Sequence, residues 1–427
     1  MVWSFSTDPE FAQKLDWARN FVINEVEPLD LLLPDLHYTP PTPQMSAIID
    51  PLKKQVRDQG LWAYHLPPRL GGSGASAVQL ALLNEVLGRS WWAPTIFGTQ
   101  APDTGNAEIL AVYGTEEQKN RFLNPLLNGE IFSCYAMTEP QGGADPGVFT
   151  TTAGPDGDSW VIDGHKFFAS NAKTAAFFIV MAVTNPSLPI YQGMSMFLVE
   201  ADTPGLTIER HFGLGGDPLG EGSHALLRFD GVRVPASNML GREGDAFAVA
   251  QTRLGGGRLH HAMRTVGLCR RAFEMMLERA VSRTAKGARL ADMQLVQEQI
   301  ADAWAALHRF RLQVLHAAWV VDEGGEIEAR RVIAGVKFAA PQALQDVVSR
   351  CIQIHGALGI SNQLPLWEWL RQVHVLNLAD GPVEVHKLNL AKSLLKDATP
   401  APTEWPTELV ADRLAVVMNR YPEVTSR

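Results

Sequence analysis

Cys134-Tyr135-Ala136-Met137-Thr138-Glu139-Pro140-Gln141-Gly142-Gly143-Ala144-Asp145 is the stretch from which the fold is read outward. Tyr135 to Thr138 can be extended, and Glu139-Pro140 forces a non-helical step. Gly142-Gly143 removes side chains, so peptide N–H groups can approach a flat or anionic group closely. Taken alone, the stretch is equally well a surface turn. A second stretch lies downstream, where Asp163-Gly164 makes a turn before Lys166-Phe167-Phe168-Ala169-Ser170-Asn171. Read as a strand, Phe168 and Ser170 share a face, so an aromatic lies against a ring while a hydroxyl bonds its polar rim. Thr138 can do the same from the first stretch.

Around this pair the composition is that of a globular chain. Its 427 residues are 46% hydrophobic and 19% charged, enough for two or three domains with a large core. A formal charge of -9, spread without blocks, offers no basic stripe for nucleic acid or an anionic membrane surface. The three cysteines, Cys134, Cys269 and Cys351, are too few and too scattered for a disulfide framework or a zinc site. The adjacent His260-His261 pair lacks the spacing of helical metal ligands, so no metal is expected. No export leader is read at the N-terminus, and the longest apolar run, Ala175 to Val183, suits a buried strand. The expectation is a cytoplasmic protein without membrane insertion.

Helical signals fill the first third. Thr7 to Glu10 reads as a capping box with proline in the first turn, and Phe11, Leu15, Ala18, Phe21, Val22 and Val26 follow at helical spacing. Pro34 to Pro43 and Leu70 to Gly74 read as loops, Met45 to Gly60 and Val78 to Leu87 as helices, and Thr115 to Gln118 as a second capping box. From Cys134 short strand-like runs take over: Trp160 to Ile162, Phe177 to Val183, Met194 to Val199, Leu206 to Ile208 and Ala225 to Phe229. A long helix begins within Arg242 to Arg253. Met293, Val296, Ile300, Ala303, Leu307, Phe310, Val314, Ala317 and Val321 then form a seven-residue repeat, the seam of a helix bundle. The predicted divisions are a helical domain over 1–133, a β domain over 134–241, a helical bundle over 242–398 and a loosely packed tail over 399–427.

This α, β, α order and the two opening stretches resemble the acyl-CoA dehydrogenase family. The resemblance implies a helical N-terminal domain, a middle β-barrel-like domain and a C-terminal four-helix bundle, with FAD between the last two. The absence of a Rossmann or P-loop glycine motif agrees with a dinucleotide held in another way. At the flavin the resemblance places Tyr135, Met137, Thr138 and Gly143 of the first stretch and Phe168 and Ser170 of the second. Arg283, Gly287 and Gln294 follow the family's pattern on the long bundle helices, with Lys286 where an aromatic is usual. In the family this group grips the FAD of a neighbouring subunit, implying a homodimer or homotetramer. Gln353-Ile-His-Gly-Ala-Leu-Gly359 matches another FAD loop, with Ala357 in place of a glycine, and His355 reads as structural.

The resemblance also implies the reaction, α,β-dehydrogenation of an acyl-CoA with electrons passing to an electron-transfer flavoprotein. The base falls on Asp380, in Asp380-Gly381-Pro382-Val383-Glu384-Val385-His386. Residues alone leave open that Asp380 merely caps the next helix. Some family members carry the base just before an arginine on the helix after the β domain, where this chain has Gly257-Arg258. Gly381, Arg258 and Ala144, which replaces a serine, fall on substrate contacts, and Pro382 and Glu384 on FAD contacts. Ala101 to Asn106, Gly257 to Arg264 and Asp380 to His386 are similar to the branch of acyl-CoA dehydrogenases ten and eleven, and the kinase-like segment fused to its animal versions is not read in these residues. Two alternatives stay open, a flavin oxidase on acyl-CoA or a nitroalkane, and a non-catalytic subunit of a heteromer.

Overall fold

The computed structural model describes residues 4–33, 41–66 and 74–425. Most of the proline-rich stretch from Pro34 and most of the Leu70 to Gly74 stretch lie outside the described residues. Helix α1 (Pro9–Phe21) opens the chain, capped by Asp8, whose side chain accepts a hydrogen bond from the Phe11 N–H. The cap therefore falls one residue later than the box read on Thr7. A carboxylate there answers an orphan N–H and also faces the positive end of the helix. Helices α2 (Pro43–Asp58), α3 (Ala77–Leu87) and α4 (Asp103–Tyr113) follow, the first two closed by capping boxes on Thr42 and Ser76. The expected box at Thr115 and Gln118 is present.

The middle of the chain is a seven-stranded sheet: β1 (Phe132–Ala136), β2 (Thr152–Asp156), β3 (Ser159–Lys166), β4 (Ala175–Val183), β5 (Met194–Glu200), β6 (Leu206–Phe212) and β7 (His224–Pro235). The order is β1-β4-β2-β3-β7-β6, with β5 also paired to β4. Strand β4 runs parallel to β1, pairing Phe178 with Cys134, and antiparallel to β5. It explains the long apolar run. Phe177, Ile179, Met181 and Val183 pack with Ala107, Ile109 and Leu110 of α4, whereas Phe178, Val180 and Ala182 pack with Ile162, Leu227 and Phe229 inside the sheet's own core. Period two with both faces covered needs apolar residues at every position.

The bundle is α5 (Ala246–Ser282), α6 (Gln294–Glu323), α7 (Glu326–His355), α8 (Leu366–Leu378) and α9 (Val383–Asp397). Of the seven-residue seam, Ala303, Leu307, Phe310, Val314 and Ala317 are buried and Val296 and Ile300 pack against the same core. The seam stops short of its reading at both ends, since Met293 precedes the helix and Val321 is 37% exposed. Helix α5 crosses α3 with almost no side-chain separation. A Cβ on Gly267 would lie 2.1 Å from the Glu85 carbonyl oxygen, and one on Gly88 would lie 1.9 Å from that of Arg264. This close crossing ties the N-terminal helices to the bundle. Beyond α9, the tail forms α10 (Val410–Arg420), which buries none of its residues. Among the described residues no helix is long and apolar enough to cross a membrane.

Candidate active site

The two opening stretches meet as the sequence suggests, but through a different local geometry. The Phe167 N–H donates to the Thr138 carbonyl oxygen at 2.8 Å, and the Lys166 ammonium to the Met137 carbonyl oxygen at 3.0 Å. Strand β3 ends at Lys166, so Phe168 and Ser170 do not alternate along a strand. Lys166 pairs with Leu227, and Ala169 exchanges both backbone bonds with Ala225. Three steps on one side thus oppose two on the other, the count of a β-bulge. Phe168 takes the left-handed conformation, φ 52°, and stands 49% exposed beside Phe167, Phe212 and His224. Ser170 Oγ lies 3.0 Å from His224 Nδ1.

Under the bulge sits a group that sequence reading treated only as a turn former. Glu139 is 2% exposed and forms an ion pair with the buried Lys166 at 2.8 Å. It also accepts from the Thr150 and Thr151 N–H groups and from Gln141. Burial alone would raise its carboxyl, but the Lys166 ammonium and these hydrogen bonds outweigh that and bring it to about 2. Burial draws Lys166 down to about 8 against the pull of Glu139, so both are charged at neutral pH. The first stretch is thereby pinned from below, while Gln141, Gly143, Ala144 and Asp145 face outward. Gly143 has ordinary room for a side chain, its nearest neighbour being Thr138 Cγ2 at 3.6 Å.

Asp380 is gripped at its backbone. It holds φ 56° and is followed by Gly381 at φ 97°. Its carbonyl oxygen accepts from Arg258 Nε at 3.0 Å and lies 3.2 Å from His386 Nε2. The capping alternative does not hold, because Pro382 is the N-cap of α9 and no side chain caps it. The carboxylate instead faces α5, with Oδ2 at 3.6 Å from His261 Nε2 and 3.3 Å from where a Cβ on Gly257 would lie. Burial pushes His261 down to about 4, opposed by Asp380, so the imidazole is uncharged at neutral pH. Positions 257 and 380, the two candidate places for a base, converge on one point. Arg258 carries out its contact through the Asp380 backbone, and Glu384 is exposed in the first turn of α9.

A polar chain behind β1 went unread as chemistry. Asp103 accepts from the Ser133 N–H at 2.8 Å, Asn106 donates to Ser133 Oγ at 2.9 Å, and Arg253 Nε donates to Asn106 Oδ1 at 2.8 Å. The Arg253 guanidinium then lies 3.9 Å over the Tyr135 ring. Burial raises Asp103 to about 6 and Tyr135 to about 12. The Ala101 to Asn106 segment was legible as unusual, but its role needs three elements that only the fold brings together.

The remaining residues are not at this place. Arg283 ends α5 and is exposed, and the next residues form a hairpin, β8 (Thr284–Ala285) with β9 (Ala288–Arg289), around Lys286 at φ 51° and Gly287 at φ 81°. The expectation that this group lies on the bundle helices is corrected accordingly: two consecutive left-handed residues close a tight hairpin rather than continue a helix. Gln294, Gln353 and Ala357 are exposed at other helix ends. His355 is buried and its Nδ1 donates to the Cys351 carbonyl oxygen at 2.8 Å, a structural role. One cavity of about 310 Å³ joins the sheet to the bundle, touching Asn171 and Thr174 after the bulge and His261 and Ala379 beside Asp380.

Known proteins share this fold. The chain matches the N-terminal, middle and C-terminal domains of acyl-CoA dehydrogenases over residues 9–130, 134–231 and 244–395. It is 41% identical to FadE2 of Mycobacterium tuberculosis, named as a probable acyl-CoA dehydrogenase, across 84% of this chain and 87% of that one. Acyl-CoA dehydrogenase family member 11 of Rattus norvegicus is 40% identical across 82% of this chain, which spans only 45% of that protein. Butyryl-CoA dehydrogenase from Megasphaera elsdenii is similar in structure, with a TM-score of 0.79 and 26% identity across 92% of this chain and all of that one. The chain belongs to the acyl-CoA dehydrogenase family of oxidoreductases.

Proposed function

We propose that this protein binds FAD and removes two hydrogens from the α and β carbons of an acyl-CoA thioester, giving the 2-enoyl-CoA, with Asp380 as the base. The residues present fit the cofactor. A bulge holds an aromatic, Phe168, outward beside Ser170, and the glycine-containing loop opposite presents backbone with little side chain in the way. When bound, FAD supplies the acceptor for the β hydrogen, taken as hydride at flavin N5. Met137, Thr138, Phe168 and Ser170 would hold and orient the ring, and Pro382 and Glu384 would complete its surroundings. Asp380 Oδ takes the α proton as the Cα–H bond breaks, and the electron pair forms the new double bond as hydride leaves Cβ. Arg258 and His386 keep that carboxylate in place through its backbone, and Gly381 and Ala144 leave room for the thioester.

The observation that carries this reading is the Asp380 carboxylate, used in no cap and aimed at a glycine where the alternative base position would be. Arg283, Gln294, Gln353 and Ala357 suit the FAD of a second copy. Arg258 on α5 and Arg283 just past its end are 25 residues apart, roughly 37 Å along the axis, too far for one dinucleotide to reach both comfortably. These positions support a homo-oligomer with shared FAD sites, and an electron-transfer flavoprotein is the proposed acceptor. The test is anaerobic addition of saturated acyl-CoAs to purified protein. Bleaching of a flavin spectrum, with a product two mass units lighter, is expected. Protein without flavin, or flavin that no thioester reduces, contradicts the reading.

A further inference from the structure

The cavity beside Asp380 has an unusual charge for a place that receives an acyl chain. Lys53, Arg264 and Lys337 line it beside the uncharged His261, and among the described residues no aspartate or glutamate does. Two of these cations are answered within the protein. Arg264 donates to the Thr99 carbonyl oxygen at 3.3 Å, and Lys337 to that of Leu376. Lys53 differs. It is only 9% exposed, yet among the described residues it has no hydrogen bond and no ion pair. Burial pulls its ammonium downward, and Asp50 opposes this without cancelling it. For a purely apolar wall a leucine would serve better at this helix position than a lysine whose stem is buried.

Its setting indicates what would answer it. Met45, Ile49 and Lys53 stand at i, i+4 and i+8 on α2, and all three line the cavity. The wall therefore changes along one helix from apolar to cationic. A methylene chain suits the first part, and an anion suits the second. We propose that this cavity takes acyl chains carrying a second anionic oxygen group, a carboxylate remote from the thioester, and that Lys53 is its receptor. This rests on the dehydrogenase reading above.

The experiment compares alkanoyl-CoAs of four to ten carbons with ω-carboxyl thioesters of equal length, by kcat/KM for flavin reduction in the wild type, Lys53→Met and Lys53→Arg. At one or more lengths the wild type should prefer the ω-carboxyl member. In Lys53→Met the ratio between partners should fall by roughly tenfold or more, the worth of a hydrogen bond to a charged group, and Lys53→Arg should retain much of it. A preference for the alkyl member at every length, or a ratio unmoved in Lys53→Met, overturns this inference and leaves the dehydrogenase reading standing. Flavin reduced by neither series overturns both.

Discussion

Asp380 sits in left-handed backbone, φ 56°, a conformation that costs an L residue about 1–3 kcal/mol and persists only when its surroundings impose it. Arg258 and His386 on its carbonyl supply that constraint, so the strain and the proposed chemistry lie on one residue. The motif around Asp380 was legible in the sequence. Its facing partner His261 was not, because the residues are 119 positions apart and only the packing of α5 against the α8–α9 turn joins them. Glu139 teaches the same limit. Its neighbours Pro140 and Gly142 marked a turn, but pairing with Lys166 across 27 residues was invisible until β1 and β3 were in place. Glu139→Gln should cost about 3–5 kcal/mol by leaving the Lys166 ammonium buried without its partner, seen as a lowered denaturation midpoint. Its carboxyl falls from 4.5 to about 2 on folding, so the stabilisation is complete above about pH 4.5 and fades as pH drops towards 2. Chemical denaturation of wild type and Glu139→Gln from pH 6 to pH 3 should show the difference shrinking, and a constant difference would count against the pair.

At the scale of elements, the facing of α5 and the residue 379–382 turn makes a relocation possible. A side chain on Gly257 would begin 3.3 Å from Asp380 Oδ2, so Gly257→Glu in an Asp380→Ala background should bring a carboxylate to the same place. Partial recovery of flavin reduction, on the order of tenfold or more over Asp380→Ala alone, is expected if position rather than identity matters. No recovery in a folded, flavin-loaded double variant would argue that the two positions serve different ends. The α3–α5 crossing gives a stability test: Gly267→Ala should destabilise by about 1–3 kcal/mol, since its Cβ would meet the Glu85 carbonyl at 2.1 Å. An unchanged melting temperature would mean that the helices separate freely. Elements with strong periodicity were the most legible, as with the seam of α6 and the apolar run of β4. The run past β3 was misread because strict alternation fits Phe168 and Ser170 equally well, and only pairing with β7 reveals the extra residue. The Lys286-Gly287 hairpin hid for a related reason, lying between two long helices whose pattern swept across it.

The whole molecule places one proposed set of flavin contacts at the sheet–bundle junction and another at exposed helix ends. Arg283→Ala, remote from Asp380, should weaken FAD retention by roughly 10- to 100-fold while leaving the fold intact, measured as flavin released on dilution with oligomeric state followed in parallel. Unaltered retention would remove Arg283 from the cofactor site. The division into three layers was readable because hydrophobic period changes from helical to alternating and back. How the layers meet was not, because Gly88, Gly267 and the Asp103-Ser133-Asn106-Arg253 chain act between segments that are distant in sequence. The most direct measurement is rapid anaerobic mixing of a reducing acyl-CoA with wild-type and Asp380→Asn protein, both loaded with FAD. The account predicts that Asp380→Asn still binds the thioester, seen as a perturbed flavin spectrum, but reduces flavin about 10²- to 10⁴-fold more slowly. Reduction at the wild-type rate would contradict it.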